Sequence, residues 1–406
     1  MTPDSPSMSK YLSAQEAANA LGVKTATLYA YVSRGLIRSE QVGGSIRNRR
    51  YHAEDVQRQK QKQEQRRNPA SAATHALQWG SPVLESALTL IADGRLLYRG
   101  QDVIALSRSH TFEQVAALLW DTDANKLDFA EDKNTALSVL LRDLPLPLIA
   151  KFQTVLTWAA IDNPTAYDIR PTNVMRIGGR IIGLMVQATG ATLNAKITLA
   201  QTLATAWASS DVLIEVASTL INTALILCAD HELNTSAFTA RCVASTGASA
   251  YGAVLAGLAA LQGPKHGGHT AQVQALLNEV TTPAHATHAI NARLQRGETL
   301  PGFGHLLYPD GDPRGAALLA QLAQTLPNDN PVLKRVQAIV STVATLTGDR
   351  PTIDFALVTL ADTLGLPQDA ALALFAIGRT AGWVGHVLEQ YASGEMIRPR
   401  AKYVGV

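Results

Sequence analysis

Residues 368–392 read QDAALALFAIGRTAGWVGHVLEQYA, apolar on most sides of a helix with one arginine, Arg379, near the middle. A helix that is hydrophobic nearly all round has no solvent face and belongs inside a large helical core. Residues 196–225, KITLAQTLATAWASSDVLIEVASTLINTAL, have the same character. Long Ala/Leu/Val/Ile-rich stretches with little period-two alternation run from about Gln78 onward. No strand series and no GxGxxG after a strand stand out, which argues against a dinucleotide-binding fold, and no fixed-period repeat is evident. The body is therefore expected to be mainly α.

The chain has 406 residues, 47% hydrophobic and 17% charged. That suffices for a large core plus a small extra domain, and it is too apolar for a disordered chain. No uninterrupted apolar run reaches the roughly 18 residues of a membrane span. MTPDSPSMSK, residues 1–10, lacks the apolar stretch of a secretory signal. Two cysteines, Cys228 and Cys242, in so long a chain point to a reducing compartment, so the cytoplasm is the expected location. The charge is uneven. Residues 1–70 hold twelve Lys/Arg and six Asp/Glu, a net of +6, against +2 for the whole chain, which leaves −4 for the remainder. A basic head on a mildly acidic body suggests a module that faces a polyanion.

The head, residues 1–56, contains YLSAQEAANALGVKTATLYAYVSRGLIRSEQVGGSIRNRRYHAEDV. Ser13 and Glu16 form a capping-box pattern that opens a short helix, and Gly22 breaks it. A second helix is expected from Thr25 to about Arg34, with Gly35 in the left-handed position beyond its end. Gly43-Gly44, flanked by Ile37, Val42 and Ile46, suits a two-stranded wing. Helix, tight turn, helix and wing together resemble the MerR/excisionase type of winged helix-turn-helix, a resemblance that covers about 50 residues. It implies DNA as a partner, with Thr25, Thr27, Tyr31 and Arg34 on the recognition helix and Arg47, Arg49 and Arg50 at the wing. The other reading is a small helical appendage with a solvated basic face. Residues 57–77 begin QRQKQKQEQRRN and read as a polar basic linker, and residues 78–406 form the body.

Three polar islands interrupt that body. One is GPKHGGH, residues 263–269, whose glycines let backbone and ligand approach closely. Another is GFGHLLYPDGDPR, residues 302–314. The third comprises Asp354 in PTIDFAL and Arg379 in AIGRTAGWVGH, charges on apolar helices that are costly without a partner or an anionic ligand. Two histidines, a carboxylate and several arginines suit carbon–carbon bond formation through an enol. The carboxylate removes a proton beside a thioester, one imidazole donates to the enol oxygen, a second polarises a ketone, and arginines hold a polycarboxylic acid. Taken singly, a Gly-flanked His is also a turn or packing residue, and an Arg–Asp pair is also a structural ion pair. His266, His269 and His305 evoke a metal site, but no carboxylate or cysteine accompanies them at short spacing, so none is expected.

The ordered series ADHELNTSAFTAR, GPKHGG, GFGH…DPR, IDF, FAIGRTAGWVGH and IRPR is similar to that of the citrate synthase family. YRGQDVIAL and TFEQVAALLW, within residues 98–120, resemble its N-terminal part. The resemblance implies all-α large and small domains, the small one spanning roughly 270–375, with oxaloacetate and acetyl-CoA or a related acyl-CoA as substrates. It implies no cofactor beyond the coenzyme A thioester itself. It assigns the catalytic roles to His266, His305 and Asp354, and substrate binding to His231, Arg314, Arg379 and Arg398. Arg398 would complete a partner subunit's site, which implies a homodimer. Departures from the family pattern stand at Leu306 and Pro309, where basic residues are usual, and at Lys265 and His269, where apolar or small ones are. Two functions follow as expectations: an acyl-CoA-condensing synthase with a DNA-binding head, or a transcriptional regulator whose synthase-like body senses a metabolite.

Overall fold

The computed structural model describes residues 11–41, 49–53, 55–56, 59–60, 84–129, 145–208, 211–327, 329–401 and 403–405. The chain divides into two compact units, Met1–Glu85 and Ser86–Val406, and sixteen α-helices lie among the described residues.

In the first unit, β1 (Tyr11–Leu12) leads into α1 (Ala14–Leu21), α2 (Thr25–Ser33), β2 (Ser39–Gln41) and β3 (Arg49–His52). Ser13 Oγ accepts the Glu16 amide while Glu16 accepts the Ser13 amide at 2.8 Å, so the expected capping box is formed. Gly22 and Gly35 both adopt positive φ and end the two helices. β3 pairs antiparallel with both β1 and β2, a three-stranded sheet where the sequence suggested two strands. A small core of Ala17, Ala18, Leu21, Leu28, Ile37, Tyr51 and Val56 holds the unit together. Gly43-Gly44, Arg47 and most of the 57–77 linker fall outside the described residues.

The second unit opens with an antiparallel sheet that the sequence reading did not anticipate: β4 (Thr89–Ala92), β5 (Arg95–Tyr98) and β6 (Gln101–Asp102). Asp93-Gly94, both at positive φ, make the tight turn between β4 and β5. Helices α3 (Val103–Ser109), α4 (Phe112–Leu119), α5 (Leu148–Ile161) and α6 (Pro171–Ala188) follow. The apolar run at 196–225 resolves into two helices, α7 (Leu199–Trp207) and α8 (Asp211–Cys228), before α9 (Thr235–Ala244) and α10 (Ala250–Leu261). The chain continues through α11 (His269–Glu279), α12 (Ala286–Gln295), α13 (Pro313–Thr325), α14 (Pro331–Leu346), α15 (Ile353–Leu364) and α16 (Ala370–Ser393).

α16 is the axis of this unit. It packs against α4, α5, α6, α8, α9, α10 and α15, which is why it can be apolar on every side. By length and composition α16 could cross a membrane, yet 89% of its apolar window is buried inside the fold, as expected of a core helix. Trp120, at the end of α4, donates its indole N–H to Ala381 O at 2.8 Å and so pins the first helices to that axis. α15 gathers α11, α13 and α14 around itself, and α12 packs on α14. The three polar islands are thereby brought to the region where α8, α13, α15 and α16 meet.

Candidate active site

The site is built on the C-terminal end of α8. Arg379 Nε donates to Cys228 O at 2.7 Å, and Gly382 N–H donates to Ala229 O at 2.9 Å. A Cβ at Gly382 would collide with Ala229 O and Asp230 Oδ1, so only glycine permits this approach of α16. The Tyr98 hydroxyl accepts Asp230 N–H at 3.0 Å, and Thr89 Oγ1 donates to Asp230 Oδ2 at 2.5 Å. His386 Nε2 lies 3.3 Å from Asp230 Oδ1. The next residue, His231, is therefore fixed from three sides.

His231 meets the second island. Its Nε2 lies 2.9 Å from the Tyr308 hydroxyl, and its ring stands edge-on to His305 at 5.5 Å. His305 Nδ1 accepts Leu307 N–H at 3.2 Å, so the proton of the neutral ring sits on Nε2. Arg314, buried at the start of α13, gives Nε and Nη2 to both oxygens of Asp312 at 3.0 and 2.9 Å. Asp312 also accepts Ile353 N–H at 3.0 Å, which ties this loop to the first turn of α15, where Asp354 lies.

His266, in the first island, places Nε2 2.8 Å from Ser236 Oγ, edge-on to the Phe375 ring. Trp383 Nε1–H donates to the same Ser236 oxygen at 3.1 Å, and Ser236 donates to Asn234 Oδ1 at 2.7 Å. A hydroxyl has one proton. While Ser236 gives it to Asn234, His266 Nε2 must be the protonated nitrogen; turned toward His266, it would move the ring proton to Nδ1. Asn234 Oδ1 already accepts two backbone N–H groups, Ser236 and Ala237, so that rotation leaves it satisfied.

The electrostatics are consistent across the site. Burial, then the Arg314 and Arg379 charges, hold His231 well below the usual imidazole range. Burial and Arg379 push His266 down to about 4, and burial and Arg314 lower His305. All three are neutral imidazoles at physiological pH. Burial raises the Asp354 carboxyl, opposed by His269 and Arg314. Its Oδ1 is buried with no hydrogen-bond partner. Arg379, 1% exposed, leaves Nη2 buried without a partner as well, and forms no ion pair among the described residues. Asp354 and Arg379 thus do not neutralise each other. Each keeps a buried polar atom without a hydrogen-bond partner among the described residues, an arrangement suited to a ligand that completes it.

Six of the seven body residues singled out from sequence, His231, His266, His305, Arg314, Asp354 and Arg379, converge here. Arg398 lies exposed on the tail after α16, outside the cluster. Ser236, Tyr308, Asp312 and Trp383 were not singled out, although Asp312 stands two residues before Arg314 and Ser236 lies within ADHELNTSAFTAR. A cavity of about 460 Å³ opens beside His305, bordered by Leu306, Tyr308, Pro309, Asp349 and Arg350. A larger groove of about 670 Å³ near Asp162 and Arg180 is lined by none of these residues. Residues 76–400 match the family model described as citrate synthase, C-terminal domain.

The chain belongs to the citrate synthase family.

Citrate synthase 2 of Bacillus subtilis is 30% identical over 365 residues, covering 82% of this chain and 96% of that protein. The citrate synthase structure from Thermotoga maritima superposes with a TM-score of 0.68 at 25% identity, covering 80% of this chain and 94% of its own. The Thermoplasma acidophilum enzyme, solved as a ternary complex with carboxymethyl coenzyme A and oxaloacetate, gives the same TM-score at 24% identity, with the same 80% and 94% coverage. Residues 11–64 match a helix-turn-helix domain, so the citrate synthase body carries that domain ahead of it. In the head, Thr27, Arg34 and Arg49 are exposed and Thr25 is half-buried. Tyr31 packs partly on the small core while Tyr29, 54% exposed, is the outward aromatic of α2. Arg50 is held by Glu40 at 3.0 Å and lies over the Tyr11 ring.

Proposed function

We propose that the body condenses acetyl-CoA, or a closely related acyl-CoA, with oxaloacetate and then hydrolyses the thioester. The observation that carries this reading is the pair of buried, unpartnered polar atoms, Asp354 Oδ1 and Arg379 Nη2, set among three neutral histidines. Asp354, its carboxyl raised by burial, is suited to take a proton from the acyl methyl group. His266, in the tautomer that Ser236 can induce, donates Nδ1–H to the developing enol oxygen. The carbon then attacks the ketone of oxaloacetate, polarised by His305 Nε2–H. Arg314 and Arg379 hold the carboxylates, with His231 as a further contact. Water releases the thiol, giving citrate and coenzyme A, with no metal or redox group required. Arg398, exposed on the tail, would reach the site of a second copy in a homodimer.

The basic residues missing at Leu306 and Pro309 have a substitute close by. Arg350 borders the same cavity, and the stem of its side chain packs on Gly311. In this reading Arg350 would hold coenzyme A phosphate where Leu306, 75% exposed, cannot. The exposed Thr27, Arg34 and Arg49 of the head support docking on DNA, chiefly through phosphate contacts.

The test is thiol release from acetyl-, propionyl- and longer acyl-CoA with oxaloacetate. Wild type should release thiol and Asp354→Ala should not. Silence with every acyl-CoA would refute the synthase reading and leave the body as a metabolite sensor for the head.

A further inference from the structure

His269 departs from the family pattern, and no step above uses it. Its Nε2 accepts Gly302 N–H at 3.0 Å, so that nitrogen carries no proton and Nδ1 does. The other side of Gly302 is equally engaged: its carbonyl accepts Thr352 N–H at 2.8 Å and Thr352 Oγ1–H at 3.2 Å. Thr352 is the N-cap of α15, two residues before Asp354. Gly302 itself adopts φ +84, and a Cβ there would press on Val273 of α11 and Phe355 of α15 at 3.0 Å. Gly304 N–H donates to Arg350 O at 3.0 Å, and Phe303 forms an antiparallel bridge with Pro351, so the loop just before His305 pairs with the approach to α15. One glycine peptide therefore links three islands that are far apart in sequence: 263–269, 302–314 and 352–354.

We propose that His269 is a positioning residue of the site, fixing the loop that carries His305 against the turn that carries Asp354. The assignment rests on the synthase reading for its kinetic consequences, though not for its geometry. A small residue at 269 leaves the Gly302 amide without its acceptor, and the two reacting partners lose their shared reference.

The experiment compares His269→Ala with His269→Gln, whose Oε1 can still accept from Gly302. In His269→Ala, kcat should fall roughly ten- to hundredfold with a smaller change in KM. His269→Gln should recover most of kcat. Equal kcat in wild type and Ala, or equal loss in Ala and Gln, overturns the proposal. If wild type releases no thiol, the synthase reading fails by itself and hydrogen exchange at the Gly302 amide decides the clamp. Exchange should quicken roughly tenfold or more in Ala and stay near wild type in Gln; unchanged exchange in Ala overturns it.

Discussion

Arg379 and Arg50 occupy opposite regimes in the two units. Arg379 is sealed in the core, bonded through Nε to a backbone carbonyl, with Nη2 unpartnered and no carboxylate in ion-pair contact among the described residues. Arg50 lies on the surface of the head, held by Glu40 and stacked over Tyr11. A buried charge left open is expensive, so the fold tolerates it only where a ligand of opposite charge completes the set. An exposed ion pair contributes little and can exchange one partner for another, such as a phosphate, at small cost. On the proposed function, the body would recognise one small anion by fixed geometry, and the head would meet a polyanion by adjustable charge.

The largest expected effect tests the buried regime. Asp354→Asn should lower thiol release roughly 10³-fold, the scale of a lost general base. It should also raise the thermal stability of the ligand-free protein near pH 7. The sign follows from the raised carboxyl: above its folded pKa the native state carries an ionised group that the unfolded chain accommodates more easily, and Asn removes that cost. A lower melting temperature in Asn would mean that the Asp354 charge is compensated within the fold.

The histidines give a second, pH-dependent handle on the same contrast. His266 titrates at about 4 when folded against 6.5 for a free imidazole. Below pH 6.5 the unfolded chain takes up a proton that the native state refuses. Stability should therefore be flat above that value and fall as pH drops toward 4, less steeply in His266→Gln. Denaturation midpoints across this range measure it; identical slopes in both proteins would contradict a neutral buried ring.

Arg350 stands between the regimes, exposed but beside the site. Arg350→Ala should raise the acyl-CoA KM roughly five- to tenfold and leave that for oxaloacetate nearly unchanged, the loss of one charge-assisted phosphate contact. Equal changes in both constants would place Arg350 outside the coenzyme subsite.

The smallest effects belong to the head. Arg34→Ala or Arg49→Ala should each weaken DNA binding a few-fold across sequences and reduce the salt slope by about one. Arg50→Ala should do less, because Glu40 already holds that charge. A larger loss at Arg50 than at Arg34, in a gel-shift titration over salt, would invert the comparison.

Much of this was legible in the chain because it is local. Ser13, Glu16, Gly22 and Gly35 mark both head helices through contacts within a few residues. The apolar faces of α8 and α16 declared a helical core, since burial on all sides leaves its trace in composition. The resemblance named six residues that do converge. The β4–β5 hairpin went unread although Asp93-Gly94 signals it, because four-residue strands leave too short an alternation among helix-like neighbours. Tertiary structure alone decided the rest: that Asp312 engages Arg314 and reaches Ile353, that Ser236 meets His266, that Arg350 stands beside Leu306, and that His269 holds Gly302. Each depends on groups brought together by α16 and α15 from distant parts of the chain. Sequence fixes which side chains exist and which face the core, while hydrogen-bond direction and the compensation of charge depend on neighbours that only folding supplies.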